Sequence, residues 1–322
     1  MKDSFDRKID YLRISVTDRC NEKCLYCMPE GYKGWSQKSD HMTVDEIVRT
    51  VRAATGLGFR KFRITGGEPL IRHDIVDICR RIREVPGVET LGISTNATHL
   101  ASHARDLKQA GVRSVNISLD ALNPDIYARI TGGRLSRVLE GIAAARAEGF
   151  EVIKLNCVLL RHINESEYLP LIEFAAGIGS PLRFIELMPL SRTDVLSEDN
   201  FLSVEGLKQR LSTHGTLVEI ADYRPGHGPA KYFLFNPIGA RLGFIGALTT
   251  PHFCESCNKL RLTADGKLRP CLGRHGEIDL LGPIRSGEDP AEALRAAIAN
   301  KPEDHEFLEA YQPQRPMTAI GG

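Results

Sequence analysis

Short apolar runs rich in β-branched residues alternate with longer stretches of helical periodicity along the first two thirds of the chain. Such alternation is typical of βα units that build a parallel sheet. Six runs are predicted to be strands, near Tyr11–Thr17, Lys61–Thr65, Glu89–Thr95, Arg113–Leu119, Glu151–Leu159 and Leu182–Leu187. Helical patterns such as Thr43–Thr55 and Leu135–Ala147 lie between them. The pattern therefore predicts a barrel-like α/β fold.

The pattern changes after Pro189, where Gly/Pro-rich turns occur around Tyr223–Pro229. Short strand-like runs follow near Tyr232–Phe235 and Arg241–Ile245. A closed barrel of eight βα units takes about 250 residues, which this region does not supply. We therefore predict an open, partial (βα)6 TIM-like barrel over residues 1–235 and a C-terminal extension over residues 236–322.

The composition is that of a globular protein, because 42% of the 322 residues are hydrophobic and 26% are charged. A net charge of +1 does not indicate nucleic acid or an acidic membrane as the main partner. No apolar run approaches the roughly 20 residues that span a bilayer. Reduced cysteines and the absence of a leader pattern predict a cytoplasmic protein.

Three cysteines, here called the first trio, directly follow the first predicted strand as Cys20-x3-Cys24-x2-Cys27. Three thiolates on a cubic iron-sulfur cluster leave one iron open to a ligand that is not protein. Structural zinc takes four protein ligands, and no histidine lies among the spacers. A chain of this length does not need a disulfide framework. The first trio therefore predicts an open cluster.

A second trio, Cys254, Cys257 and Cys271, lies near the other end of the chain. His252 or His275 is placed to complete a zinc site with these thiols. Spacing alone therefore leaves structural zinc and a second open cluster about equally supported.

The second predicted strand ends in the turn Thr65-Gly66-Gly67-Glu68-Pro69. Paired glycines remove the side chains that would keep a ligand from the backbone. Barrel enzymes place their chemistry at the carboxyl ends of the strands, where the first trio also lies. The turn and the first trio are therefore predicted to share one site.

Basic residues recur in or beside the strand-like runs, at Arg13, Lys61, Arg63, Lys154, Arg183, Lys259 and Arg261. Residues two apart, such as Lys61 and Arg63, share one face of a strand. Inward-facing cations are costly unless paired, and acidic residues are scarce in the same segments. We therefore predict a highly anionic ligand; the alternative is that these side chains extend to solvent.

The first trio followed by Gly-Gly-Glu-Pro resembles the radical S-adenosylmethionine (SAM) superfamily. Over nearly its whole length the chain further resembles the GTP 3′,8-cyclase (MoaA) family of molybdenum cofactor biosynthesis. The segments that carry this resemblance are Asp10–Pro29, Arg63–Leu70, Asn116–Asp120, Phe184–Pro189, the second trio with Asn258–Lys267, and the terminal Gly321-Gly322. The resemblance implies a lyase, and a second cluster in place of zinc.

For the first trio, the resemblance implies a [4Fe–4S] cluster whose fourth iron binds SAM. Cleavage of SAM would give methionine and a 5′-deoxyadenosyl radical. The residues implied around SAM are Tyr26, Gly66, Gly67, Glu68, Thr95, Ser118 and Met188. The family commonly has Gly where Ala97 stands here. Since alanine favours a conventional backbone angle, we expect the loop after Thr95 to differ in shape.

The resemblance implies GTP as the anionic ligand, with Arg13, Lys61, Arg63, Lys154 and Arg183 around the triphosphate and ribose, and Lys259 and Arg261 also in contact. Catalytic roles are implied for Lys259 and Arg261, and for Gly321 and Gly322 reaching into the site. The implied product is 3′,8-cyclo-7,8-dihydro-GTP. Lys259 stands where the family commonly has Arg, so a single charge would replace a bidentate contact.

Two other functions remain open. A different radical SAM enzyme with an auxiliary cluster, such as a peptide maturase, explains both trios but neither the cations nor the Gly-Gly end. A zinc-ribbon protein that binds nucleic acid conflicts with the near-neutral charge. The resemblance further implies a homodimer, a reducing electron donor and hand-over of the product to MoaC, the pyranopterin-forming enzyme, with no membrane partner.

Overall fold

The structure, a computed structural model, describes residues 1–29, 31–32, 35, 40–309 and 311–321. Six parallel strands follow one another in chain order and pair with their sequence neighbours. They are β1 (Tyr11–Ser15), β2 (Lys61–Thr65), β3 (Thr90–Thr95), β4 (Ser114–Ser118), β5 (Val152–Val158) and β6 (Leu182–Ile185). The predicted partial barrel is confirmed, and no strand end differs from the prediction by more than two residues.

Helices connect the strands and cover the outside of the sheet. They are α1 (Val44–Gly56), α2 (Ile75–Arg83), α3 (Leu100–Gln109), α4 (Pro124–Thr131), α5 (Leu135–Ala147), α6 (Tyr168–Gly177), α7 (Val204–Leu211), α8 (Leu281–Arg285), α9 (Pro290–Ala299) and α10 (Met317–Ile320). Short 3-10 turns lie at Pro69–Ile71 and Glu165–Glu167. Thr43 and Glu46 form a capping box that begins α1. No helix in the described part of the chain is long and apolar enough to cross a membrane.

The chain after β6 extends both edges of the six-stranded sheet. Its strands are β7 (Thr216–Glu219), β8 (Lys231–Asn236), β9 (Ala240–Ile245), β10 (Lys259–Leu262), β11 (Lys267–Arg269) and β12 (Ile278–Asp279). β10 pairs in parallel with β1, and β9 pairs in parallel with β6. The predicted boundary at residue 235 falls within β8, which pairs with β9. The division at that residue therefore stays a prediction.

Alternation along the strands separates the core from the barrel interior. On β1, Leu12 and Ile14 are fully buried in the core, and on β2 Phe62 and Ile64 occupy the same cluster. Successive side chains of a strand point to opposite faces. The residues between these apolar positions therefore point into the barrel, as the spacing of the basic residues predicted.

Glu186, at the end of β6, attaches the loop after β9 and the start of α7 to the barrel. Its buried carboxylate accepts hydrogen bonds from the amides of Val204 (3.0 Å), Leu248 (2.9 Å) and Thr249 (3.3 Å). The hydroxyl of Thr249 donates to it as well. The buried carboxylate of Glu186 is therefore the acceptor that satisfies all four of these donors.

Replacing Glu186 with Gln is expected to lower the free energy of unfolding by about 3 kcal/mol, because the new amide NH2 faces donors and leaves them unsatisfied. The urea midpoint of the reconstituted protein measures this change. Glu205→Gln is the matched control, since Glu205 is exposed and pairs with Lys208 at the surface. Equal midpoints for both variants would contradict this role of Glu186.

Candidate active site

The strand ends and the C-terminal extension enclose a cavity of about 390 Å³. The six cysteines of the two trios all line it. None of these six forms a disulfide, so all are available as thiolate ligands. Groups that lie far apart in the sequence therefore share one chamber, at the end of the barrel where several strands converge.

The first trio occupies the loop after β1, between Cys20 and Cys27, and backbone hydrogen bonds hold this loop on two sides. The amide of Gly67 donates to the carbonyl of Thr17 (2.7 Å), and the amide of Leu25 donates to the carbonyl of Ile130 (2.9 Å). Burial raises the pKa of the Cys27 thiol to about 12. A strongly positive partner such as iron is what would stabilise a thiolate here.

Glycine is required at positions 66 and 67 because two protein segments approach each other closely there. A Cβ added to Gly66 would lie 2.8 Å from the carbonyl oxygen of Thr17, and one added to Gly67 would lie 2.3 Å from that of Arg19. We predicted that these glycines admit a ligand, and both do line the cavity. The structure adds that they let the turn after β2 pack on the backbone that precedes the first trio.

The carboxylate of Glu68 organises the loops around this end of the cavity. It accepts hydrogen bonds from the hydroxyl of Thr95 (2.7 Å) and from the amides of Asn96 (2.7 Å) and Leu70 (3.0 Å). Burial raises its pKa to about 7 against the opposing effect of these bonds. Thr95 lines the cavity, whereas Glu68 is 1% exposed. A contact of Glu68 with SAM remains a prediction.

Ala97 adopts the backbone conformation that we expected an alanine to avoid. Its φ is +64°, in the left-handed region that costs an alanine roughly 1 kcal/mol. The amide of Ala97 donates to the hydroxyl of Thr95 (2.9 Å), and the residue is fully buried. Because these contacts hold the loop in a shape that glycine would adopt freely, the expectation of a conventional angle was wrong.

Tyr26, Ser118 and Met188, the other residues predicted around SAM, line the cavity. The phenol of Tyr26 donates to the carboxylate of Asp120 (2.7 Å), which also accepts from the amide of Val158 (2.8 Å). Burial raises the pKa of Asp120 to about 6. Sequence reasoning did not single out Asp120, although it ends the quoted segment Asn116–Asp120. Asp120 thus orients the ring of Tyr26, which lies between Cys24 and Cys27 in the sequence.

Lysines surround the second trio. Burial raises the pKa of the Cys257 thiol, but the positive charges of Lys301 and Lys259 outweigh it and lower the pKa to about 7. Lys301 is 3% exposed, and its ammonium donates to the carbonyls of Lys259 (3.0 Å) and Pro270 (2.7 Å). Lys301 could not be predicted as part of the site, because its neighbours in the chain carry no motif.

The two histidines considered as zinc ligands have other contacts. His252 is 76% exposed and pairs with Glu255 (2.6 Å). His275 stacks on Tyr311, with ring centroids 4.8 Å apart. Within the described residues, no three His, Cys, Asp or Glu side chains are grouped closely enough to hold a single metal ion.

Arginines on three adjacent strands lie side by side along the cavity. Arg13 on β1 is in register with Arg63 on β2 and with Arg261 on β10. All three line the cavity, as do Lys154, Arg183 and Lys259. Burial and the neighbouring Arg63 and Arg183 lower the pKa of Lys154 to about 6. The concentration of like charge favours an anion in this chamber.

Lys61 differs from the other predicted cations. Its ammonium pairs with the carboxylate of Asp10 at 2.8 Å, and its side chain is 22% exposed. We expected few acidic partners in the strand segments, and Asp10, which immediately precedes the first predicted strand, supplies one at this position. Contact between Lys61 and GTP remains a prediction.

The C-terminal tail enters the site. The carbonyl of Gly321 accepts a hydrogen bond from Arg261 (2.7 Å). Gly321 has a φ of +87°, and an added Cβ would lie 2.7 Å from the Thr65 hydroxyl and 2.8 Å from the Cβ of Ser15. Gly322 lies outside the described residues. Glycine is thus required at position 321, where the tail crosses the ends of β1 and β2.

Comparison with known proteins agrees with these features. The family model described as the radical SAM superfamily matches residues 14–175, and the one described as Molybdenum Cofactor Synthesis C matches residues 180–307. A protein from Pelotomaculum thermopropionicum named GTP 3′,8-cyclase is 42% identical over 327 residues, which span 100% of both chains. One of the same name from Paracoccus denitrificans is 44% identical, covering 99% of this chain and 95% of its own.

Among solved structures, Streptococcus suis SuiB bound to the precursor peptide SuiA aligns with a TM-score of 0.67 at 13% identity. The alignment covers 98% of this chain and 70% of SuiB, and at that identity it shows the fold alone. The family models and the full-length relatives carry the stronger conclusion. The chain belongs to the radical SAM superfamily and, within it, to the family of its GTP 3′,8-cyclase relatives.

Proposed function

We propose that this protein is a radical SAM enzyme that cyclises GTP to 3′,8-cyclo-7,8-dihydro-GTP, the first step of molybdenum cofactor biosynthesis. One observation carries the proposal: the two trios and the row of cations face the same cavity. A nucleotide bound there by its phosphates lies within a chamber that both trios also line. The peptide-maturase alternative explains both trios but not the row of cations, and the likeness to SuiB, at 13% identity, concerns the fold alone.

The first trio suits the [4Fe–4S] cluster of the superfamily, because it presents three free thiols to the cavity on a loop held at both ends. When bound, this cluster supplies the electron that cleaves the sulfonium bond of SAM. Gly66, Gly67, Thr95, Ser118 and Met188 would contact SAM from the cavity wall. Asp120 holds Tyr26 in a fixed orientation beside them.

The second trio suits another [4Fe–4S] cluster with one open iron for the guanine base. Three free thiols that line the cavity support this assignment, as does the positive charge of Lys301 and Lys259, which stabilises thiolate at Cys257. Guanine nitrogen or oxygen is a reasonable ligand for an open iron. The base would then lie at one end of the cavity and the phosphates among the cations.

The triphosphate and ribose of GTP would bind the in-register Arg13 and Arg63, with Lys154 and Arg183 next to them in the cavity wall. Lys61, which shares the strand of Arg63, would assist from its pair with Asp10. Guanidinium groups match phosphate oxygens bidentately, whereas an ammonium acts as a point charge. Several cations in one buried chamber repel each other. A bound triphosphate would offset that repulsion, which supports a substrate of high negative charge.

In the proposed reaction, the 5′-deoxyadenosyl radical takes the hydrogen from C3′ of the ribose. The C3′ radical forms a bond to C8 of guanine, and one electron and one proton complete the product. Arg261 and Lys259 would have their predicted catalytic roles beside the guanine base, since they lie on β10 next to the second trio. Gly321, whose carbonyl accepts a hydrogen bond from Arg261, would hold that guanidinium in place, and Gly322 keeps its predicted catalytic role.

We also propose a homodimer, an external one-electron reductant, hand-over of the product to MoaC and a cytoplasmic location. Family membership supports these assignments, and the free cysteines favour a reducing compartment. Residues 1–235 would carry the SAM chemistry, and residues 236–322 the second cluster and the tail.

Anaerobic incubation of the reconstituted enzyme with SAM, dithionite and GTP deuterated at C3′ tests the proposal. We expect mass spectrometry to detect 5′-deoxyadenosine that carries deuterium, together with an isomer of GTP. GTP deuterated at C2′ is the control and should leave 5′-deoxyadenosine unlabelled. The proposal is wrong if deuterium from C3′ never reaches 5′-deoxyadenosine.

A further inference from the structure

His227 lies in the loop between β7 and β8 and lines the cavity that the cations occupy. Its ring contacts Tyr11 edge to face, with centroids 6.1 Å apart. The phenol of Tyr11 in turn accepts a hydrogen bond from Arg63 (2.6 Å). The imidazole therefore stands next to one arginine of the in-register row.

The loop that carries His227 is fastened at the cavity wall. The ammonium of Lys154 donates to the carbonyl of Pro225 (2.8 Å), two residues before the histidine. At Gly226, an added Cβ would lie 2.7 Å from that ammonium. Lys154 thus holds the loop against the cavity wall, and His227, two residues further on, lines the cavity.

The groups that face His227 are mostly cations. They are Lys61 and Arg63 on β2 and Lys154 on β5, together with Asp10 and Tyr11 at the start of β1, and Lys259 lies 6.0 Å from the centre of the Tyr11 ring. Asp10 is already paired with Lys61. Burial, followed by the charges of Lys61, Lys154 and Arg63, lowers the pKa of His227 despite Asp10. The ring is therefore mainly neutral near pH 7.

We propose that His227 binds the polyphosphate of the nucleotide substrate and becomes protonated when it does so. This inference rests on the proposed function, because it names a further contact of the same site. An anion between His227 and the cations removes the repulsion that keeps the ring neutral, so binding takes up a proton. The sign follows directly: substrate affinity gains from His227 as the pH falls, and this gain is lost as the pH rises above the pKa of the bound state.

Binding of GTP to the reconstituted enzyme, measured anaerobically without reductant at pH 6 and pH 8, tests this role. We expect His227→Gln to weaken binding about tenfold at pH 6, the size of a lost charge-assisted hydrogen bond, and about twofold or less at pH 8. Titration of the γ-phosphate of free GTP is common to both proteins, so it cancels in the ratio of dissociation constants. His214→Gln, in an exposed turn after α7, is the control and should match the wild type at both pH values.

Outcomes separate this inference from the proposed function. If GTP binds the wild type and His227→Gln weakens binding equally at both pH values, or not at all, the role of His227 is overturned. GMP lacks the β- and γ-phosphates. If His227→Gln weakens the binding of GMP as much as the binding of GTP, the role of His227 is also overturned. If the wild type does not bind GTP, the proposed function itself fails.

Discussion

Removal of Gly321 and Gly322 is expected to reduce GTP cyclisation by about 100-fold or more, while both clusters remain. Arg261 donates to the carbonyl of Gly321, so the deletion frees a guanidinium in the chamber. Misplacing a catalytic group by about 1 Å costs on that order of rate. Product formation is measured by mass spectrometry, and iron content reports the clusters.

Gly321→Ala is a more local version of the same test. The added methyl group would lie 2.7 Å from the Thr65 hydroxyl, and alanine resists a φ of +87°. We expect a smaller loss than for the deletion. Gln312→Ala, in an exposed part of the tail, is the matched control and should keep full activity. Full activity of the deletion variant would show that the tail has no catalytic part.

Replacing Cys271 with Ala is expected to lower the iron content from about eight to about four per chain. Cyclisation should fall by about 1000-fold or more, because the guanine would lose the group that orients it. The first trio is untouched, so cleavage of SAM to 5′-deoxyadenosine should continue without formation of the cyclic product. This uncoupling distinguishes loss of the second cluster from general damage.

Cys79 provides the control for that experiment, because it is fully buried in α2 and belongs to neither trio. Cys79→Ala should retain about eight irons and its activity. One equivalent of zinc and no second cluster in the wild type would contradict the assignment. So would an unchanged iron content in Cys271→Ala.

The barrel was predictable because its signals are local. Each of the first six strands is a short apolar run, and Lys61–Thr65 and Leu135–Ala147 were predicted with the bounds that the structure has. β10 was not predicted as the neighbour of β1, since its pairing joins segments at opposite ends of the chain. No pattern in a short window encodes such a contact.

Site residues that belong to a sequence motif could be predicted, and the others could not. The two trios and the basic residues have recognisable spacings, and the cavity brings them together. Asp120, Lys301 and His227 act through contacts made in three dimensions, so each is an ordinary residue in the sequence. Ala97 shows the converse case, where buried contacts override a residue's preferred backbone angle.

The pairing of β10 with β1 also affects how the chain folds during its synthesis. Until β10 leaves the ribosome, the edge of β1 has no partner there, although the rest of the barrel is already made. Open strand edges recruit other chains and promote aggregation. A chain truncated before Lys259 would keep this edge open, so we expect it to aggregate.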